Sequence, residues 1–127
     1  MLYWAAVCVA VTGLSACAPM VSTAPATLAT DSVTVPSRIQ LKSPTEIRLE
    51  TGYTRTLAAG SNWQRVGTLS QGTVYRPVGT IFTIEGRQVH EAYLVITNQR
   101  LVGFYLPGEQ AYSPLSTAVS ITTGESQ

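Results

Sequence analysis

The sequence predicts an all-β protein: a small antiparallel meander forming a barrel or sandwich of about six to eight strands. Three observations carry this. From residue 39 onward, Gly, Pro and Asn punctuate the chain at intervals of roughly eight to twelve residues, the spacing of a β sandwich or barrel. The segments between them either alternate polar and apolar or are short and apolar. Beyond residue 16, no segment places apolar side chains at the three-four spacing of an amphipathic helix.

The elements follow in order. Thr45 to Glu50 alternates, with Ile47 and Leu49 on one face. Thr51-Gly52 turns the chain, and Tyr53 to Ala58 returns. Ala59-Gly60-Ser61-Asn62 is a loop by composition. Trp63 to Leu69 is the next strand, Ser70-Gln71-Gly72 turns it, and Thr73 to Arg76 ends at Pro77. Thr80 to Glu85 is a strand, and Gly86-Arg87 suits a two-residue turn of type II′. Gln88 to Ile96 reads as one long strand. Asn98-Gln99 turns it, because Asn tolerates a left-handed backbone. Arg100 to Leu106 closes a three-stranded meander that Pro107-Gly108 terminates. Tyr93 to Ile96 and Leu101 to Leu106 are apolar on both faces, so they belong at the centre of the sheet, covered on both sides. Thr117 to Thr123 is a weaker strand that closes or edges the sheet.

The N-terminal region is of a different kind. Met1 to Leu14 is apolar and carries no charged side chain. It is shorter than the roughly 20 residues a membrane-spanning helix needs. It closes on Leu14-Ser15-Ala16-Cys17, which resembles the lipobox of bacterial lipoproteins, a Leu–small–small–Cys cleavage site. The chain departs from that pattern in having no Lys or Arg before the apolar run. The resemblance covers only the first 18 or so residues. It implies removal of residues 1–16 as a signal peptide, a diacylglyceryl group on the Cys17 sulfur and an acyl chain, such as palmitate, on its amine. Two or more acyl chains give a stable membrane anchor where one does not. Ala18 stands where the sorting pattern for inner-membrane retention has Asp. The resemblance therefore implies the outer membrane, at its periplasmic face or exposed at the surface.

From Ala18 to Pro36 the composition is mostly Ala, Pro, Ser, Thr and Val, with one charge at Asp31, and Pro19, Pro25 and Pro36 break any helix. This reads as a flexible tether over 17–38, averaging about 25 Å end to end as a coil. The folded domain spans 39–124, and 125–127 is a tail. Within the tether, Ser32 to Val35 is the stretch with the alternation of an edge strand.

Charge and cysteine content exclude several function classes. Of the 8 Lys and Arg residues, only Lys42 is lysine, and the arginines are scattered from Arg38 to Arg100. Nucleic-acid binding requires a basic stripe, which is absent. The 2 cysteines are Cys8, within the signal, and Cys17, which the acyl chain consumes. The mature chain then has no disulfide, no thiolate ligand and no cysteine nucleophile.

No set of residues carries catalysis. His90 is the 1 histidine, and its neighbour Glu91 points to the opposite face of a strand. One His without Cys does not make a zinc site of the usual kinds, and the carboxylates are too dispersed for calcium. Glu46 and Glu50 lie about 13 Å apart along an extended strand, beyond the separations glycosidases use. No G-x-S-x-G elbow and no phosphate-binding Gly loop occur. The expectation is a non-enzyme with no cofactor beyond its acyl chains.

Aromatic residues favour binding. Trp63 follows a loop, Tyr75 and Arg76 precede Pro77, and Tyr112 lies beside Ser113-Pro114 in a second loop, so these four form the candidate interaction surface. The segment from Trp63 to Val74 is similar in rhythm to bacterial SH3-type cell-wall modules, which implies a peptidoglycan or glycan ligand. The leading expectation is a structural or accessory lipoprotein with an envelope protein partner, in secretion, conjugation or pilus machinery. A glycan binder and an exclusion or immunity lipoprotein are the alternatives.

Overall fold

The computed structural model describes residues 19–30 and 37–125. Among them are strands β1 (Ala24–Pro25), β2 (Ala29–Thr30), β3 (Arg38–Leu41), β4 (Thr45–Arg48), β5 (Thr54–Leu57), β6 (Asn62–Leu69) and β7 (Gly72–Pro77). They continue with β8 (Thr83–Glu85), β9 (Val89–Glu91), β10 (Tyr93–Thr97), β11 (Arg100–Leu106), β12 (Ala111–Ser120) and β13 (Thr123–Glu125), with no helix. The protein is all-β and antiparallel, as its turn spacing predicts. Very short pairings raise the strand number to 13.

The main sheet has 9 strands in the order β1-β12-β11-β10-β7-β6-β3-β13, with β2 also bonded to β6. β10 and β11 lie inside it, and both their faces are buried. Leu94, Leu101, Phe104 and Leu106 point into the larger core cluster. Their neighbours Val95 and Tyr105 point into a smaller one with Leu69, Val74 and Tyr112. This two-sided burial is the physical reason the two segments are apolar throughout. Three register shifts, at Arg65/Gly67, Val95/Ile96 and Leu101/Gly103, bend the sheet where an extra residue leaves the ladder.

The larger cluster is covered by two separate hairpins, β4–β5 and β8–β9. Ile47, Leu49 and Leu57 come from the first, and Phe82 and Ile84 from the second. The smaller cluster is covered by Ala26 and Leu28.

That last fact corrects the tether. Residues 19–30 lie on the domain. Val21 is buried in the larger cluster. β1 pairs with β12 at Ala24↔Tyr112, and β2 pairs with β6 at Ala29↔Thr68. Ala26 N–H donates to Gln110 O at 3.0 Å. One segment thus links the β12 edge to β6 over the second face of the sheet. Two glycines make room for it. A Cβ on Gly86 would stand 2.6 Å from Val21 Cγ2 and 3.0 Å from Pro19 O, and one on Gly67 would meet Ala29 O. Ser32 to Val35 and the expected signal peptide, residues 1–16, lie outside the described residues.

Other boundaries shift for local reasons. The long strand expected over Gln88–Ile96 is two strands in different sheets: the N–H of the fully buried Ala92 donates to Phe82 O at 2.9 Å, which continues the β8–β9 pairing, and from Tyr93 the chain pairs with β11 in the main sheet. The expected meander over 80–106 is therefore the β8–β9 hairpin followed by β10 and β11 in the main sheet. Glu85 pairs with Val89, so residues 86–88 form a three-residue connection and not a type II′ turn at Gly86-Arg87. Asn98 and Gln99 take φ of 50° and 59°, the left-handed pair a two-residue hairpin turn requires. Ala111 to Ser120 is one ten-residue strand, β12, where a loop and a weaker strand were expected. Pro114 is accommodated there beside a register shift, on the stretch past β1 that has a ladder on one side only.

Candidate functional site

β5, the start of β6 and the segment running from Pro77 to Phe82 enclose a cleft of about 310 Å³. Its floor is apolar: Leu57, Trp63 and Phe82 are 2%, 3% and 6% exposed. Phe82 meets Trp63 edge-on with ring centroids 5.7 Å apart, and stacks on Phe104 at the same distance, so the floor is continuous with the core. The wall is fixed by polar contacts. Trp63 Nε1–H donates to Ser61 Oγ at 3.0 Å, and Ser61 Oγ–H donates to Ala58 O at 2.7 Å. The Arg55 guanidinium lies over the Phe82 ring, 4.4 Å from its centroid, and donates to Thr83 O and Thr83 Oγ1. These contacts hold Arg55 along the wall and shape the cleft. At the rim stands Ile81, 69% exposed.

The four residues of the expected surface do not come together. Trp63 is buried under the cleft, and Tyr75 packs against the same cluster. Tyr112 is buried in the other cluster, and its hydroxyl donates to Val102 O at 3.1 Å. It sits in strand β12 and not in a loop, which is why it is buried. Arg76 is exposed, next to Tyr75 on β7 and therefore facing the other way. Burial raises the Tyr112 hydroxyl above its ordinary value. Tyr93 is raised by burial and then by the Glu91 carboxylate, with the Arg76 charge opposing. Leu14, Ser15, Ala16 and Cys17 lie outside the described residues.

Ile81 was legible only as a member of an expected strand. Ile81 and Phe82 are adjacent, and in extended chain one of two neighbours must face outward. The chain turns Phe82 inward and leaves Ile81 outside.

A second hollow of about 200 Å³ adjoins the β8–β9 hairpin, lined by Met20, Val21, Thr23, Arg87, Gln88, His90 and Glu109. His90 Nδ1 is 2.7 Å from Glu109 Oε1, with the imidazole largely buried and the carboxylate at the surface. Glu91, the next residue on β9, points away from this pair and lies near the Tyr93 hydroxyl instead. Among the described residues no three His, Cys, Asp or Glu side chains gather as metal ligands would. Comparison with protein-family models, curated proteins and solved structures finds no match to this chain.

Proposed function

We propose that this chain is a membrane-anchored lipoprotein of the bacterial envelope whose small β domain binds a protein partner, as a structural or accessory component of a larger assembly. The observation that carries the anchoring is Leu14-Ser15-Ala16-Cys17 at the end of an apolar, uncharged segment. The outer membrane is its place by the Ala18 sorting argument. The domain's part in the reading rests on the cleft: an apolar floor, a wall held by hydrogen bonds, and an isoleucine left in water at the rim. A partner that covers Ile81 and fills the cleft gains apolar burial without ordering the site first.

The glycan-binding alternative requires an aromatic face open to stack on a sugar, and Trp63 at 3% exposure presents none.

Cys17→Ala tests the anchor. The wild-type protein incorporates a labelled fatty acid and fractionates with membranes; the variant loses both. Unchanged membrane attachment of the variant would refute the anchoring. Ile81→Asp tests the cleft: a complex recovered in mild detergent with wild type is lost with the variant. Recovery of the wild-type protein only as a free monomer would count against a partner.

A further inference from the structure

The docked N-terminal segment has a consequence for how the domain meets the membrane. It rests on the reading of Cys17 as the lipid-bearing residue. Pro19 is packed on the domain: its carbonyl lies 3.0 Å from where a Cβ of Gly86 would stand, and Val21 beside it is 5% exposed. Only Ala18 lies between Pro19 and Cys17. Two Cα–Cα steps span at most about 7 Å, whatever their conformation. A lipid-anchored Cys17 therefore brings the tip of the β8–β9 hairpin to the bilayer surface, where a tether of about 20 free residues would let the domain drift roughly 25 Å away.

We propose that Pro19, Met20 and the β8–β9 tip around Arg87 and Val89 form a seat on the phospholipid headgroups, which gives the domain one orientation on the membrane. The composition of this surface fits. Of the 3 large hydrophobic residues exposed among the described residues, 2 are here, Met20 and Val89, each 65% exposed. The charged side chains around the hairpin are Arg87, Glu85, Glu91 and Glu109, the last paired to His90 at 2.7 Å. One guanidinium among three carboxylates gives no net attraction to anionic lipid. The seat is thus held by the acyl chains and the short link, with apolar side chains at the interface, and it does not depend on salt.

The seat also aims the cleft. Thr51 and Tyr53 border the same hollow as Pro19, Glu85 and Gly86, whereas Leu57, Ala58 and Ile81 line the cleft. β5 and β8 thus both run from the seat to the cleft. Five residues from Gly86 back to Ile81 cover roughly 15 Å of extended chain, so the cleft opens on the side away from the lipid.

Met20 is near the bilayer by covalent reach alone, so the informative position is Val89, which only the docked fold brings there. The processed chain has no free thiol, and single cysteines at Val89→Cys and Ala59→Cys each accept one environment-sensitive fluorophore. Both positions are exposed, and Ala59 lies beyond the far end of β5. The lipidated protein is extracted from membranes, labelled and reconstituted in phosphatidylcholine vesicles that carry headgroup quenchers. Quenching at 89 is expected to exceed that at 59 by at least about threefold, from a separation of roughly 20 Å along extended chain. The ratio should be unchanged in high salt. Inserting 15 Gly/Ser residues between Ala18 and Pro19 adds a coil of roughly 20 Å and should bring the ratio close to one. Equal quenching at the two positions in lipidated, uninserted protein overturns the seat alone. Protein recovered without acyl chains overturns the anchor, and the seat with it.

Discussion

Gly86→Ala probes the docking of the N-terminal segment at a single contact. The added methyl would stand 2.6 Å from Val21 Cγ2 and 3.0 Å from both Pro19 O and Val21 N. Two of these three atoms are backbone, so a rotamer change of Val21 relieves only part of the clash. Overpacking of this kind costs about 1–3 kcal/mol. The cost has a ceiling, because the chain can escape by releasing Pro19–Val21. Release exposes Val21, whose burial contributes about 1.5–3 kcal/mol. The expected loss is therefore about 1–3 kcal/mol, accompanied by faster amide exchange over residues 19–26. Val21→Ala alone should cost about 1.5–3 kcal/mol from lost burial and the cavity left behind. In the double variant the Cγ2 clash no longer exists, so the two losses should fall short of additive by at least about 0.5 kcal/mol. Urea unfolding of all four proteins measures this directly. Strict additivity, with exchange over 19–26 unchanged, would refute the docking.

Three further outcomes follow from the geometry. Phe104→Ala removes a fully buried ring stacked on Phe82 and should cost about 3–5 kcal/mol in urea unfolding. Tyr93 and Tyr112 are raised above the ordinary value of 10.0, so the fold favours their neutral forms. Their contribution is fully present below pH 10 and is lost as pH rises through the folded-state values, so the melting temperature should fall in that alkaline range. Tyr112→Phe should shallow that fall while costing about 1 kcal/mol at neutral pH from the lost bond to Val102 O. Ile81→Asp, at a side chain 69% exposed, should leave stability within about 0.5 kcal/mol of wild type by thermal melting while it abolishes partner capture.

Much of the sheet was legible because its signals are local. The apolar runs Tyr93–Ile96 and Leu101–Leu106 need both faces covered wherever they sit, and the structure gives them two clusters. Asn98-Gln99 must turn because few other residues accept the backbone that the hairpin imposes there. The candidate site was legible only in part. Trp63 was identified, yet its burial depends on Phe82 and the β5 wall, which are remote in sequence. Ser113-Pro114 reads as a break, so the sequence predicts a loop at Tyr112. Pro114 lies past the end of the β1 pairing and beside a register shift in the β11 pairing, and both depend on the order of strands.

By itself, then, the sequence determined the strand texture, the turns, the central strands and the Leu14–Cys17 pattern at the N-terminus, because each is written in neighbouring residues. Tertiary structure alone decided what residues 19–30 do. β1 and β2 are two residues each, too short to show a period, and their composition is that of a tether. They are held by backbone bonds to β12 and β6, by Val21 and Leu28 entering two clusters, and by the space that Gly67 and Gly86 leave open. Those partners exist only once the sheet has formed. A segment whose order is supplied entirely by distant residues carries no sign of that order in its own.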